Sequence, residues 1–213
     1  MPFPGNHRRG EDPQAPDLPL SCVPRIARIC ALGLAFDGLF EEVCREIRHL
    51  SGADECLLFF RVDDGGGDTF RPGARSGSIQ GLPDPYLPGL RMDRLLDRLR
   101  GEGTIRADDV ALVPPGDPLR ELLENRPVRS ALLVPLKFGT DLLGFVALHA
   151  ADSAKRWDDD VLRAMDLVAA ILAAALDRRR TEERLRASES RYRFIAENSP
   201  DLITLHDPSG RIL

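Results

Sequence analysis

Two apolar segments, residues 129–137 (RSALLVPLK) and 142–149 (LLGFVALH), are separated only by Phe138-Gly139-Thr140-Asp141, and they constrain the fold more than any other part of the chain. Apolar runs this short, joined by a tight glycine-bearing reversal, form a β-hairpin rather than a helix. Neither alternates apolar with polar residues, so both of their faces must be covered. The expected architecture is α+β: an antiparallel sheet with the first and last helices on one face and loops or short helices on the other.

The flanking sequence supplies those helices. Ile26, Ile29, Leu32, Phe36, Leu39, Phe40, Val43, Cys44 and Ile47 recur at steps of three and four, which predicts an amphipathic helix over residues 25–50 with a break near Gly33 or Asp37. Ser51-Gly52-Ala53-Asp54 ends it. Residues 56–62 read as a strand, 63–68 as an acidic glycine-rich reversal, and 69–74 as a poorer strand paired with the first. Residues 75–90 are a Pro/Gly loop with Tyr86 as its aromatic group, helical spacing returns at 90–99, an extended piece lies at 104–106, and a short helix lies near 118–124.

Trp157-Asp158-Asp159-Asp160 opens a long helix, its acids placed where the helix dipole favours them, and Val161, Leu162, Met165, Val168, Ala169, Leu172 and Leu176 form its apolar stripe. No glycine or proline interrupts it through residue 193. Ile171, Leu185 and Tyr192 keep a seven-residue register with Arg178 between them. That stretch is either a solvated helix face or a connector that pairs with a second copy of itself.

Composition removes several function classes. Twenty-nine basic residues against 34 acidic ones give a net charge of -5, with no basic stripe to neutralise a phosphate backbone, so nucleic acid is not an expected partner. The longest apolar run, residues 167–176, is about half of what a membrane-spanning helix needs, so no membrane segment is expected. Residues 1–24 carry six prolines and no apolar core of the secretory kind, which predicts a disordered leader and a cytoplasmic chain. Cys22, Cys30, Cys44 and Cys56 form no C-x-x-C pair and are expected to be reduced, buried thiols.

Ser130-Ala131-Leu132-Leu133-Val134-Pro135-Leu136, Leu143-Gly144-Phe145-Val146-Ala147-Leu148-His149 and the Trp157-acidic turn together closely resemble the C-terminal half of a GAF domain. The resemblance extends more weakly over residues 25–177. Residues 188–203, SESRYRFIAENSPDLI, are similar to the opening of a PAS domain, which continues as a strand, a turn and the start of a second strand to residue 213. The implied organisation is a leader (1–24), a GAF domain (25–177), a connector helix (178–193) and a truncated PAS start (194–213), so that the chain reads as part of a longer protein. That order implies the sensory part of a bacterial signalling protein, a two-component sensor histidine kinase foremost, or a cyclic-dinucleotide enzyme such as a diguanylate cyclase. It would act as a homodimer through its terminal helices.

The GAF resemblance implies a pocket between the inner sheet face and the loops of residues 75–130. Arg71, Tyr86, Asp109 and Arg129 are the polar or aromatic candidates for ligand binding there, and the ligand's identity stays open. Some GAF domains attach a bilin through a cysteine, often one followed by histidine, and others bind cyclic nucleotides or haem. Neither Cys44 nor Cys56 precedes a histidine, and the N-K-x-F-D-E signature of cyclic-nucleotide binders is missing. Stand-alone GAF reductases of methionine sulfoxide carry a cysteine just before the S-x-x-V-P-L strand, where this chain has Asn125-Arg126-Pro127-Val128-Arg129.

Remaining chemistry is sparse. His149 reads as a structural histidine, and His7, His49 and His206 share no metal-ligand spacing. Asp63, Asp64 and Asp68 lack the closing glutamate of a calcium loop, and Gly65-Gly66-Gly67 is a turn rather than a phosphate cradle. No catalytic constellation supports an enzyme within these 213 residues. A relaying sensor and a ligand-free dimerisation spacer are the readings that remain, and bulky side chains filling the inner sheet face would favour the spacer.

Overall fold

The computed structural model describes residues 22–31, 37–63, 68–79, 92–198 and 207–211. Their elements run α1 (Val23–Ala31), α2 (Asp37–Ser51), β1 (Glu55–Asp63), β2 (Asp68–Gly77), α3 (Asp93–Gly101), β3 (Ile105–Ala107), a 3-10 turn (Val110–Leu112), α4 (Pro118–Leu123), β4 (Ser130–Phe138), β5 (Asp141–Ala150) and α5 (Asp159–Asn198). The strands form one sheet in the order β2-β1-β5-β4-β3, every neighbouring pair antiparallel. β1, β5 and β4 are the inner strands, and β4 and β5 lack a polar face because side chains of both enter a core on each face of the sheet.

Strand alternation divides the apolar residues into two cores. Cys56, Leu58, Leu132, Val134, Leu136, Val146 and Leu148 pack against α1, α2 and α5. Leu57, Phe59, Ala131, Leu133, Phe145 and Ala147 face α3, the 3-10 turn and α4 instead. The expected two-sided cover is therefore present. Each large aliphatic or aromatic side chain removed from water in this way contributes about 2 kcal/mol.

Local chemistry sets the joints. Gly52 takes φ 61° just past α2, the left-handed conformation that glycine adopts without penalty. A Cβ at Gly144 would stand 2.3 Å from the Phe59 carbonyl oxygen, so the Leu-Gly-Phe sequence of β5 reflects close approach of β1. At the other end of β4, the buried Ser130 hydroxyl donates to the Asp108 carbonyl at 2.7 Å and accepts from the Lys155 amide at 2.6 Å. The Trp157 amide donates to Asp108 Oδ1 at 3.1 Å, and the Trp157 ring is fully buried. These bonds join β3, β4 and the approach to α5.

Helical periodicity over residues 25–50 resolves into two helices, α1 ending at Ala31 and α2 starting at Asp37, in agreement with a break in the Gly33 to Asp37 region. α5 has 40 residues, so it is about 60 Å long. Its first half is core, with Ala164, Met165, Val168 and Leu172 fully buried, whereas residues 181–197 are exposed throughout. Arg178 Nη2 donates to the Cys30 carbonyl at 3.2 Å, tying the helix to the end of α1 at the point where it leaves the core. Residues 194–198, assigned above to the start of a PAS domain, continue this helix.

Residues 1–21 of the leader, the 80–91 part of the Pro/Gly loop, and the strand expected around 199–206 lie outside the described residues, whereas Val23 and Pro24, expected in the leader, open α1, with Val23 buried in the core. Residues 207–211 form a turn in which the Asp207 carboxylate accepts from the Ser209 and Arg211 amides, both at 2.9 Å. Among the described residues no helix is long and apolar enough to cross a membrane.

Candidate functional site

The face of the sheet opposite the long helices carries a narrow slot between β1, β5 and α4. Its floor is apolar: Phe59 and Phe145 stack with ring centroids 4.5 Å apart, and Phe70 meets Phe145 at 5.9 Å. α4 forms the cover because Asp117 caps it, accepting from the Leu119 amide at 2.8 Å, with Pro118 in the first turn. Leu119 and Leu123 then point into the sheet. The remaining cavity is about 40 Å³, lined also by Met92, Arg126 and His149. That is room for a few waters, against the 300 Å³ or more (roughly) of a drug-sized ligand pocket.

One end of the slot is polar. Glu55 and His149 are cross-strand partners on β1 and β5, fully and almost fully buried, with Oε2 3.1 Å from Nδ1. Arg75, two residues along the ladder on β2, makes an ion pair with the other Glu55 oxygen. Arg126, on the connection between α4 and β4, also lines the slot. Burial lowers the pKa of its guanidinium and the Glu55 charge opposes that effect. The arrangement holds one carboxylate among two guanidiniums and an imidazole at the end of an apolar channel.

The sequence candidates sit elsewhere. Arg71 is exposed on β2, opposite Phe60 in the ladder. Asp109 and Arg129 do come together, at 3.5 Å, but at the protein surface, where the Arg129 side chain is 56% exposed. Asp109 caps the 3-10 turn, accepting from the Ala111 amide at 2.9 Å, and lines a separate hollow with Arg106, Asp108 and Asp117. Tyr86 lies outside the described residues. Glu55 and Arg126 were not among the candidates; Glu55 carried the signal of a charge at the head of an apolar strand, and Arg126, on the connection between α4 and β4, carried none. His149, expected as a structural histidine at the end of an apolar strand, meets Glu55 through Nδ1 and lines the slot.

The four cysteines are free and all belong to the helix side of the sheet. Burial raises the thiol pKa of Cys30 to about 11, and that of Cys56 well above its ordinary value. No described cysteine faces the slot. No group of three His, Cys, Asp or Glu side chains placed to hold a metal ion occurs among the described residues.

These features define a class of α+β domain, with one antiparallel sheet, long helices on one face, and a small enclosed space under short helices on the other. The GAF domain family model matches residues 36–176, and the chain belongs to the GAF domain family. The phycoerythrobilin-bound GAF domain of a cyanobacterial phytochrome is similar in fold, at 21% identity and TM-score 0.63 over 78% of this chain and 97% of that one. So is the GAF domain of the Acinetobacter phosphoenolpyruvate-protein phosphotransferase, at 12% identity and TM-score 0.59 over 76% and 94%. The chromophore-binding domain of a bacteriophytochrome from R. palustris matches at 16% identity and TM-score 0.56 over 73% and 60%. No curated protein sequence matches the chain.

Proposed function

We propose that the chain is the regulatory input module of a bacterial signal-transduction protein, in which α5 carries a change of packing out of the GAF core toward the domain that follows. The observation behind this reading is α5 itself, half core and half exposed in one unbroken helix. Ile171, Arg178, Leu185 and Tyr192 share one seven-residue register. Leu167, Ala174, Thr181, Ser188 and Ile195 fall on its companion positions, three residues after or four before each. Leu185 is 59% exposed and Tyr192 72%, and a second copy of the helix would cover both. Arg178 makes the seam thin, although its guanidinium is drawn aside toward the Cys30 carbonyl and Glu182.

The PAS-like residues 188–213 and the order GAF, helix, PAS favour a sensor histidine kinase as the parent, with a cyclic-dinucleotide enzyme as the alternative, acting in the cytoplasm. A small molecule or partner that signals here acts only through its differential affinity for two arrangements of the helices. Sedimentation velocity at micromolar concentration tests the reading. The chain is expected to be a dimer, and L185E with Y192E is expected to give a monomer of unchanged circular dichroism in the core. A wild-type monomer at every concentration overturns it.

One observation favours a ligand-free spacer instead. The slot of about 40 Å³ is closed by Phe59, Phe145, Leu119 and Leu123, and no described cysteine faces it for covalent attachment of a bilin. Native mass spectrometry separates the two readings. A retained small molecule supports the sensor, and a clean apo dimer supports the spacer.

A further inference from the structure

A cleft of about 660 Å³, within the size range of small-molecule sites, lies at the β3 edge of the sheet beside α5. Its origin is the shortness of β3. The chain leaves α3 through Gly103 at φ 92° and pairs with β4 only where Ile105, Arg106 and Ala107 face Leu133, Leu132 and Ala131. Residues 134–138 of β4 therefore have β5 on one side and no described strand on the other. α5 walls the gap with Leu162, Asp166, Ala169 and Ala170, which share one helix face at the helical period. The small alanine side chains leave the strand edge open beside that wall.

Four charged side chains line the cleft, and two of them are neutralised locally. Arg106 Nη2 stands 2.6 Å from Asp108 Oδ2, and Glu102 accepts from Arg98 Nε at 2.9 Å. Lys137 and Asp166 have no counter-ion among the described residues, which run without a gap from 92 to 198. Lys137 Nζ donates to a neutral acceptor, the Arg100 carbonyl, at 2.5 Å, and the exposed Asp166 carboxylate has no hydrogen-bond or ion-pair partner. One cation on β4 and one anion on α5 thus line the cleft uncompensated, while its other charges cancel.

We infer that this cleft binds a short peptide with free termini, its ammonium group meeting Asp166, its carboxylate meeting Lys137 and its backbone lying along the open edge of β4. An unpaired strand edge offers amide and carbonyl groups to an added extended segment. Pro135, within that edge, has no amide to donate, so a long ladder cannot grow and only a short segment is held. Leu162, Pro135 and the two alanines give its side chains apolar contact. A lining of zero net charge with one free charge of each sign selects a zwitterion over a simple anion or cation. The inference goes beyond the input-module reading and does not depend on α5 pairing.

Titration calorimetry on the whole chain with the tripeptide Ala-Leu-Ala tests it, against the N-acetylated tripeptide, the C-amidated tripeptide and free leucine. The tripeptide with free termini is expected to bind at one site per chain, with each control at least about tenfold weaker. D166N is expected to weaken it about tenfold and to abolish the penalty for acetylation, and K137Q to abolish the penalty for amidation. A170W, at an exposed position of the cleft wall, is expected to block binding, with D166N and A170W unfolding at the wild-type temperature. R126A in the slot and the double variant L185E, Y192E on the helix register are expected to bind as the wild type does, so failure of α5 pairing and failure of this inference give different results. No saturable heat at millimolar tripeptide, equal affinity for any of the three controls, or unchanged binding in D166N or A170W overturns the assignment.

Discussion

Glu55 and His149, 94 residues apart in the chain, face each other across the β1–β5 ladder with Glu55 Oε2 3.1 Å from His149 Nδ1. The carboxylate has no access to water, and Arg75 from β2 occupies its other oxygen. Three strands thus meet at one buried charge, at the polar end of the slot.

Removing that charge leaves Arg75 and His149 facing an empty, desolvated space. E55A is expected to lose about 3 kcal/mol of stability in urea unfolding, as other broken buried pairs do. E55Q, which keeps an acceptor oxygen for one of the two partners and turns an NH2 toward the other, is expected to lose less than E55A. A loss under about 1 kcal/mol in E55A would show that the strands do not depend on this contact.

Gly144 tests the packing origin of the Leu-Gly-Phe sequence. G144A places a methyl group 2.3 Å from a backbone oxygen that cannot move without breaking the β1–β5 ladder. A cost of about 2 kcal/mol or more in the same assay is expected. G101A is the control, since an added Cβ there meets open space, and it is expected to be neutral or slightly stabilising.

Asp108 gives the fold an acid-sensitive joint. Its hydrogen bonds from Arg106 hold the carboxyl below the usual range, and the Trp157 amide adds to the effect. A folded-state pKa below the unfolded one means stabilisation that is complete above the unfolded value, about pH 4, and is lost as pH falls through the folded value. D108N is expected to be less stable than wild type at neutral pH, by no more than about 1 kcal/mol because the pair is partly exposed, with the two curves converging in acid. Thermal melting between neutral and acid pH checks this, and a constant gap at all pH values would contradict it.

The thiols report which face of the sheet they occupy. Cys22 is the only half-buried one, and Cys30, Cys44 and Cys56 are buried under α1, α2 and α5. A disulfide reagent is expected to titrate one thiol slowly in the native chain, because burial raises the Cys22 pKa too, and all four after denaturation. Rapid native reaction of two or more would mean that the terminal helices open readily.

Nearly every element of the sheet was legible in the chain because its signals are local. A glycine-bearing reversal between two apolar runs makes the β4–β5 hairpin, and steps of three and four make α2 and α5. Three acids after Trp157 mark where the last helix begins. The same locality explains what could not be read. The GAF resemblance points to Asp109 and Arg129 as polar groups of the pocket, whereas tertiary packing pairs them at the surface and Arg126 and His149 line the slot. The Glu55–His149 contact depends on the register of β1 against β5, and no short window of sequence contains both residues.

The sequence by itself determined the α+β class, the order of the elements and the family, because periodicity, turn chemistry and short packing motifs act over a few neighbouring residues. Tertiary structure alone decided that the inner slot is nearly filled, that the cysteines lie on the far side of the sheet from it, and that α5 leaves the core with residues 181–197 exposed. These outcomes arise from side-chain volumes and strand registers meeting across nearly a hundred residues or more, where the free energy of packing, and not local propensity, selects the arrangement.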